Sequence, residues 1–410
     1  MTAAVPIGAV ARYRAAALAA FGLLFAGTAT AQAPWRSSYF PYPIGNPGDG
    51  AMLMVRWQRT QNAPYFISKT DEEDVINPIT FAGAVSAEAG LGTLGSRVAR
   101  VEFRGPGLVD GWRFRALAAA ERTGRFAYYG LGGDIERTDH AGAPTTGGQW
   151  AGTDDANDNG YRVHRSRYLL HADVTRRVAG NLRLALGALF DRTEFSPLPE
   201  TSLFRDQWGG SVARTNFVLR PAVVFDSRDR EYTPGNGLLL EAGVGVGTGG
   251  NDSGGGNAGY GFGYLNLRGY VSPREGTVLA VRGLYRSLSD KAPLSARFTV
   301  PGWERETALS GAEGHRSFPL GALGAVRATL VGVEVRHDLL NAGDLGAITL
   351  MAFGDYGRFE DPAASFRFRT EQYGGGGGIA IRVLRSAHLT ANFAGGSNGL
   401  NFSMGTAWTF

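Results

Sequence analysis

The chain has no cysteine, so no disulfide can hold it together, and its stability must come from hydrogen-bonded ladders and packing. Beyond the N-terminal segment there is no run of eighteen apolar residues, which excludes a membrane-spanning helix. Charge is sparse. Asp, Glu, Lys and Arg make up 19% of the residues, and the net charge of +4 is too small a bias to argue for a nucleic-acid partner. Catalytic and metal signatures are lacking as well. The six histidines, at 140, 164, 171, 315, 337 and 388, are dispersed without ligand spacing, and there is neither a Gly-x-Ser-x-Gly elbow nor a His-Glu-x-x-His pair. The expectation is a protein that is not an enzyme and needs no cofactor or metal.

Glycine is in excess, at 61 of 410 residues, about twice the usual ~7%, and aromatics reach 11%. That composition suits a large, twisted antiparallel sheet. At the N-terminus, Arg12 and Arg14 precede an apolar run from Ala15 to Ala26, and Ala29-Thr30-Ala31 offers a small-x-small cleavage site. This is the layout of a secretory leader, so residues 1–31 are expected to be removed, leaving 410 − 31 = 379 residues. Residues 32–50, rich in Pro, Gly, Ser and Asn, are expected to form a short periplasmic segment, with the folded part spanning 51–410.

Past that point the dominant pattern is alternation at period two. Tyr168, Leu170, Ala172 and Val174 are apolar, while Arg167, His171, Asp173 and Thr175 between them are polar. Val331, Val333 and Val335 alternate with Gly332, Glu334 and Arg336. In a strand, parity is face, so each segment has one apolar and one polar side. A soluble sandwich alternates too, but these runs exceed the usual strand of ~5–6 residues and reach the ~9–11 that a tilted bilayer crossing needs. The polar parity also carries charge in mid-strand, at Arg282, Arg286, Glu334 and Arg336, which a wet or plugged lumen tolerates.

Candidate strands fall at 52–60, 78–90, 96–104, 111–121, 125–133, 161–176, 182–194 and 212–226. A second set falls at 235–248, 258–272, 277–288, 326–338, 345–358, 372–384, 387–395 and 399–410. The fold class is therefore all-β, a transmembrane antiparallel β-barrel of about sixteen strands, located in a bacterial outer membrane. With the N-terminus in the periplasm, the long connections 134–160, 195–211, 289–325 and 359–371 all face outside, and the short ones face the periplasm, the asymmetry usual for such barrels.

Several short motifs lead elsewhere and are set aside. Asp155-Ala156-Asn157-Asp158-Asn159-Gly160 begins like a calcium loop, but its twelfth position is Ser166 rather than Glu. Gly243, Gly245, Gly247 and Gly249 lie at period two inside a strand with no helix after them, so they serve wall curvature or close packing rather than phosphate binding. Gly374 to Gly378 reads the same way.

Three motifs follow in order: Phe225-Asp226-Ser227-Arg228-Asp229 with Pro234-Gly235-Asn236-Gly237, then Gly332-Val333-Glu334-Val335-Arg336, then Phe353-Gly354-Asp355-Tyr356-Gly357. By these, from about residue 212 onward the sequence resembles the BamA/TamA superfamily of outer-membrane assembly barrels, also called the bacterial surface antigen family. The resemblance extends to the glycine-rich Tyr373–Gly378 and the final strand, with a weaker feature at Tyr128-Tyr129-Gly130-Leu131-Gly132. The family's largest loop folds back into the lumen with a Val-Arg-Gly-Phe/Tyr tip. Here His315-Arg316-Ser317-Phe318 matches it, with His315 and Ser317 replacing Val and Gly. The resemblance implies an inward-folded loop 289–325, with Arg316 paired to Asp355, Glu334 nearby and Phe318 at the tip. It also implies that Phe402, Trp408 and Phe410 form a C-terminal insertion signal read by outer-membrane assembly machinery. Members of the family carry periplasmic modules ahead of the barrel. The ~20 residues between Gln32 and Ala51 leave no room for one, so a separate periplasmic protein is an expected partner beside membrane lipid.

The function implied is outer-membrane protein assembly, or transport of protein or lipid, acting through a seam between the first and last strands. A passive pore or surface protein with a loop-plugged lumen is the second reading, and a barrel with a site in its outer loops the third.

Overall fold

The structure, a computed structural model, describes residues 35–62, 81–131, 160–198, 202–231, 233–250, 258–303, 305–342, 346–361, 371–383, 387–396 and 399–405. The leader expected at 1–31, most of the calcium-like segment 155–160, and Trp408 and Phe410 lie outside these residues.

Sixteen strands close into one antiparallel barrel. They are β1 (Trp35–Asn46), β2 (Gly50–Asn62), β3 (Phe81–Gly92), β4 (Arg97–Val109), β5 (Trp112–Ala127), β6 (Arg162–Ala179), β7 (Leu182–Pro197) and β8 (Val212–Asp226). Then come β9 (Gly237–Gly250), β10 (Ala258–Arg274), β11 (Thr277–Leu288), β14 (Arg327–Asn341), β15 (Gly346–Glu360), β16 (Glu371–Val383), β17 (Ala387–Gly396) and β18 (Gly399–Gly405). A small ribbon of β12 (Thr299–Val300) and β13 (Thr307–Ala308) lies in the long β11–β14 connection.

Strand length follows from the membrane. A 13-residue strand rising ~3.3 Å per residue and tilted ~40° spans roughly 33 Å, close to the ~30 Å hydrocarbon core. The parity expected from the sequence maps onto the two faces. Val331, Val333 and Val335 are exposed outward, and so are Tyr168, Leu170, Phe217, Leu219 and Val223, while Glu334 and Arg336 are 2% and 3% exposed inside. Each outward Leu or Val left in water would forgo roughly 1.5–3 kcal/mol of burial, so this surface is stable only against an apolar solvent. Interfacial aromatics bound the belt. Trp112 stacks on Phe114 beside the short β4–β5 turn, with Arg176 over the Trp112 ring at 5.2 Å, and Tyr356 meets Tyr373 toward the opposite end.

Two expectations are corrected, and the errors cancel in the count. Residues 32–50 are not merely a periplasmic lead-in: Trp35–Asn46 is the first barrel strand, paired in register with β2 from Trp35↔Gln61 to Asn46↔Gly50, so the barrel starts before residue 51. Pro41 and Pro43 hid it from a reading of the sequence. Proline cannot donate to a ladder, so two of them in three residues read as breakers, yet Pro41 and Pro43 keep their places in the register with β2, opposite Val55 and Leu53. Conversely, the strands expected at 111–121 and 125–133 are one continuous strand, β5, with a register shift between Thr123 and Phe126. Gly124 looked like a turn. It marks a close approach, where a Cβ would stand 1.8 Å from the Leu94 carbonyl oxygen. Tyr128-Tyr129-Gly130-Leu131 therefore lies beyond the strand, in the packing described next.

At the long-loop end the lumen is sealed by an apolar cluster. Phe126, Tyr128, Phe195, Phe204 and Phe298 meet edge-on or tilted, with centroids 4.9–6.5 Å apart. The short helix α1 (Leu203–Trp208) joins it, started by the Ser202 hydroxyl accepting from Arg205 N and ended by Gly209 at φ 72°. Tyr128 Oη accepts from Trp208 Nε1 at 2.7 Å and donates to Gln207 at 2.6 Å, which satisfies the polar ends of both rings.

Candidate functional site

The interior is the inverse of a soluble core. Arg282, Arg286 and Arg316 are each at most 1% exposed. Arg282 and Arg286 reach from the wall to carbonyls of the β11–β14 connection, residues 289–326, which runs through the lumen, and Arg316 reaches from that connection to carboxylates of the wall. A buried guanidinium needs such hydrogen bonds to offset its lost hydration.

At the tip, Arg316 donates to Asp355 three times: from its backbone N at 3.0 Å, from Nε at 2.8 Å and from Nη2 at 2.9 Å. Its Nη1 reaches Glu334, which also accepts from Arg336 Nε at 2.6 Å. The guanidinium lies 3.5 Å over the Phe353 ring. Asp355 and Glu334 stand on β15 and β14, where Gly332↔Asp355 and Glu334↔Phe353 are consecutive inward-facing register pairs, so parity places both carboxylates around one point. A two-pronged fork onto a carboxylate fixes orientation as well as distance. Arg282 completes the cluster, 3.9 Å from Asp355 and donating to the Gly314 carbonyl at 2.9 Å. The structure thus brings together Arg316, Asp355 and Glu334. Phe318 packs one step away, edge-on to His315 at 5.0 Å.

Ser317 sits where the glycine-rich strand makes room. Its hydroxyl donates to the Gly395 carbonyl at 2.9 Å, and a Cβ on Gly374 would lie 1.8 Å from that hydroxyl. A Cβ on Gly396 would lie 2.9 Å from Ser317 Cβ. Gly374 on β16 and Gly396 on β17 therefore let the loop tip lie against the wall itself. Asn401 on β18 donates to the Arg316 carbonyl at 2.7 Å and to that of Phe318 at 3.2 Å, tying the tip to the last strand. Phe402, on the opposite parity, meets Phe393 at a tilt, with ring centroids 4.8 Å apart.

Three further anchors escaped the sequence reading. Arg286 donates to the carbonyls of Ala296 at 2.6 Å and Arg297 at 3.2 Å, and to those of Thr299 and Ala325, gathering both limbs of the loop around one side chain. Glu241 accepts from the Trp303 backbone N–H at 2.9 Å and from Tyr264 Oη at 2.6 Å. Arg297 Nη1 donates to both carboxylate oxygens of Asp361, at 3.1 and 2.9 Å. The one signal in the sequence was inward parity carrying an unexplained charge, at Glu241 and Arg286. The partners are largely backbone carbonyls and amides, which no pattern of side chains reveals. Gly243, Gly245 and Gly247 also gain a reason: a Cβ on each would fall within 2.5 Å of the Tyr264, Phe262 and Tyr260 rings, which lie flat on that wall.

Fold and plug together define a sixteen-stranded barrel of the outer-membrane kind, with its largest loop held inside. In fold the chain is similar to BamA from Haemophilus ducreyi lacking POTRA domains 1–3, at 12% identity and TM-score 0.51, covering 91% of this chain and 70% of that one. It is likewise similar to CdiB from Escherichia coli, at 9% identity and TM-score 0.53, covering 93% of this chain and 64% of that one. No protein-family model matches the chain, and no curated protein sequence matches it. At these identities the likeness is one of fold.

Proposed function

We propose that this chain is an integral outer-membrane barrel, exported behind a cleaved leader, that acts in the assembly or passage of protein or lipid rather than as an enzyme. What supports the reading is a largest loop pinned inside the lumen of a barrel that closes between its first and last strands and is similar in fold to BamA and CdiB. At that closure β1 meets β18, with Gly45↔Met404 as a register pair, and residues 406–410 lie outside the described residues. On this reading the closure between the first and last strands is where the wall parts to pass a client. Its lipid-side partner is the bilayer, and a separate periplasmic protein would present clients to it.

The absence of cysteine makes the test direct. Opposed Cα atoms in an antiparallel pair stand ~4.5–5.5 Å apart, within the range a disulfide accepts. Gly45→Cys with Met404→Cys should lock the seam under oxidation. In cells that depend on this chain, the census of other outer-membrane proteins should fall when the lock is oxidised and recover on reduction. A locked barrel that supports an unchanged census refutes the reading. It would favour a passive barrel with a fixed plug, which the many lumen anchors of the loop support.

A further inference from the structure

Most outward-facing arginines near the rims have a partner. Arg327 and Arg358 share Glu360, and Arg176 lies over the Trp112 ring. Arg97 and Arg122 differ. They are direct register partners on β4 and β5, both exposed, and no hydrogen bond or ion pair joins either to another described residue. Like charges placed directly opposite across an antiparallel pair repel and destabilise the sheet unless an anion lies between them.

Their height on the wall says which anion. Parity puts them outward, because Val98 and Glu121, the next pair in register, point inward. They sit at the end of β4 beside the 93–96 turn, which lies at the same barrel end as the long connections 128–161, 198–211 and 289–326. One pair below, Ala99↔Ala120 begins the apolar belt, and Tyr168, the partner of Ala120 on β6, is an exposed aromatic at interface level. Beneath the guanidiniums the outward residues of β5 are Ala120, Ala118 and Ala116, flanked by Val101 and Phe103 on β4 and by Tyr168 and Leu170 on β6. The wall there is a shallow trough between larger side chains, running from the arginines down through the hydrocarbon.

We infer that Arg97 and Arg122 form a binding site for the phosphate headgroup of an outer-leaflet lipid, whose acyl chain lies in the alanine trough of β5. Two guanidiniums can fork onto the oxygens of one phosphate, which converts their mutual repulsion into a shared contact, and Ser166, opposite Arg122 on β6, adds a hydroxyl. The inference rests on the membrane reading above but not on the assembly role.

Native mass spectrometry of the full chain in detergent micelles tests it, with bis-phosphorylated lipid A as probe. The wild-type chain should retain one lipid molecule, and Arg97→Gln with Arg122→Gln should weaken retention at least tenfold at low salt. The control Arg327→Gln with Arg358→Gln, at the same rim, should leave retention unchanged. Equal retention by the Arg97/Arg122 double variant overturns the site, as does equal retention of dephosphorylated lipid A. Competition by millimolar inorganic phosphate as strong as that of the lipid would mean an ion site without a lipid, and also overturns it. A chain that stays in solution without detergent overturns this inference and the membrane reading together, whereas loss of lipid retention in a folded barrel touches the inference alone.

Discussion

Replacing Arg316 by Met keeps the length of the side chain and removes its charge. Two side-chain hydrogen bonds to Asp355 and one to Glu334 go with it. The backbone bond to Asp355 can persist, and Glu334 keeps Arg336 at 2.6 Å, so Asp355 is the group left stranded, with only Arg282 at 3.9 Å. Removing one partner of a buried pair costs about 3–5 kcal/mol, chiefly because the remaining charge is uncompensated. With Arg282 partly compensating, about 3 kcal/mol is expected, which lowers the docked-to-released ratio of the loop roughly a hundredfold. Limited proteolysis of the micelle-bound barrel follows that ratio when release is fast relative to cleavage, so cutting within 301–320 should accelerate by about two decades. Asp355→Asn in the Arg316→Met background removes the stranded charge and should restore part of the loss, a coupling above about 1 kcal/mol in the double-mutant cycle. Arg305→Met, which breaks the partly exposed Arg305–Glu313 pair in the same loop, should change cleavage by less than the ~1 kcal/mol typical of such pairs. Wild-type cleavage in Arg316→Met, or strict additivity with Asp355→Asn, refutes the claim that this contact pins the loop.

Gly374→Ala should expel the loop tip, since the new Cβ falls 1.8 Å from the Ser317 hydroxyl, and adding Ser317→Gly should reseat it; the same proteolysis reads both, and failure of the rescue refutes the packing account. Burial holds the His315 imidazole in the loop below its usual range, so its folded value lies under the unfolded ~6.5. The stability it contributes is fully present above pH ~6.5 and is lost as pH falls through the depressed folded value, so loop release should rise on acidification and His315→Gln should flatten that rise. Val333→Lys, at an outward position 51% exposed, should cost about 2–4 kcal/mol in refolding into lipid vesicles if that face meets hydrocarbon, and almost nothing if it meets water.

Much of the wall was legible because a strand's period of two ties parity to face without reference to any neighbour. Val333 and Glu334 could be assigned to lipid and lumen from their alternation alone, and the structure places them so. The same local logic failed where a residue's meaning depends on a partner. Gly124 reads as a turn until the Leu94 carbonyl is seen against it, and Pro41 and Pro43 read as breakers until β1 is seen in register with β2. The lumen contact was foreseeable only because a charged loop residue and two inward carboxylates could be matched through a family resemblance; Arg286, whose partners are backbone carbonyls, offered no such match.

The sequence by itself determined that this is a long-stranded antiparallel sheet with one apolar face and one charged face, because that information is local and is carried by composition and spacing. Only the tertiary structure decided where the sheet closes, which strand comes first, and how the long loop threads the lumen. Closure and plugging are set by contacts between residues far apart in the chain, and above all by backbone atoms, which every residue carries alike.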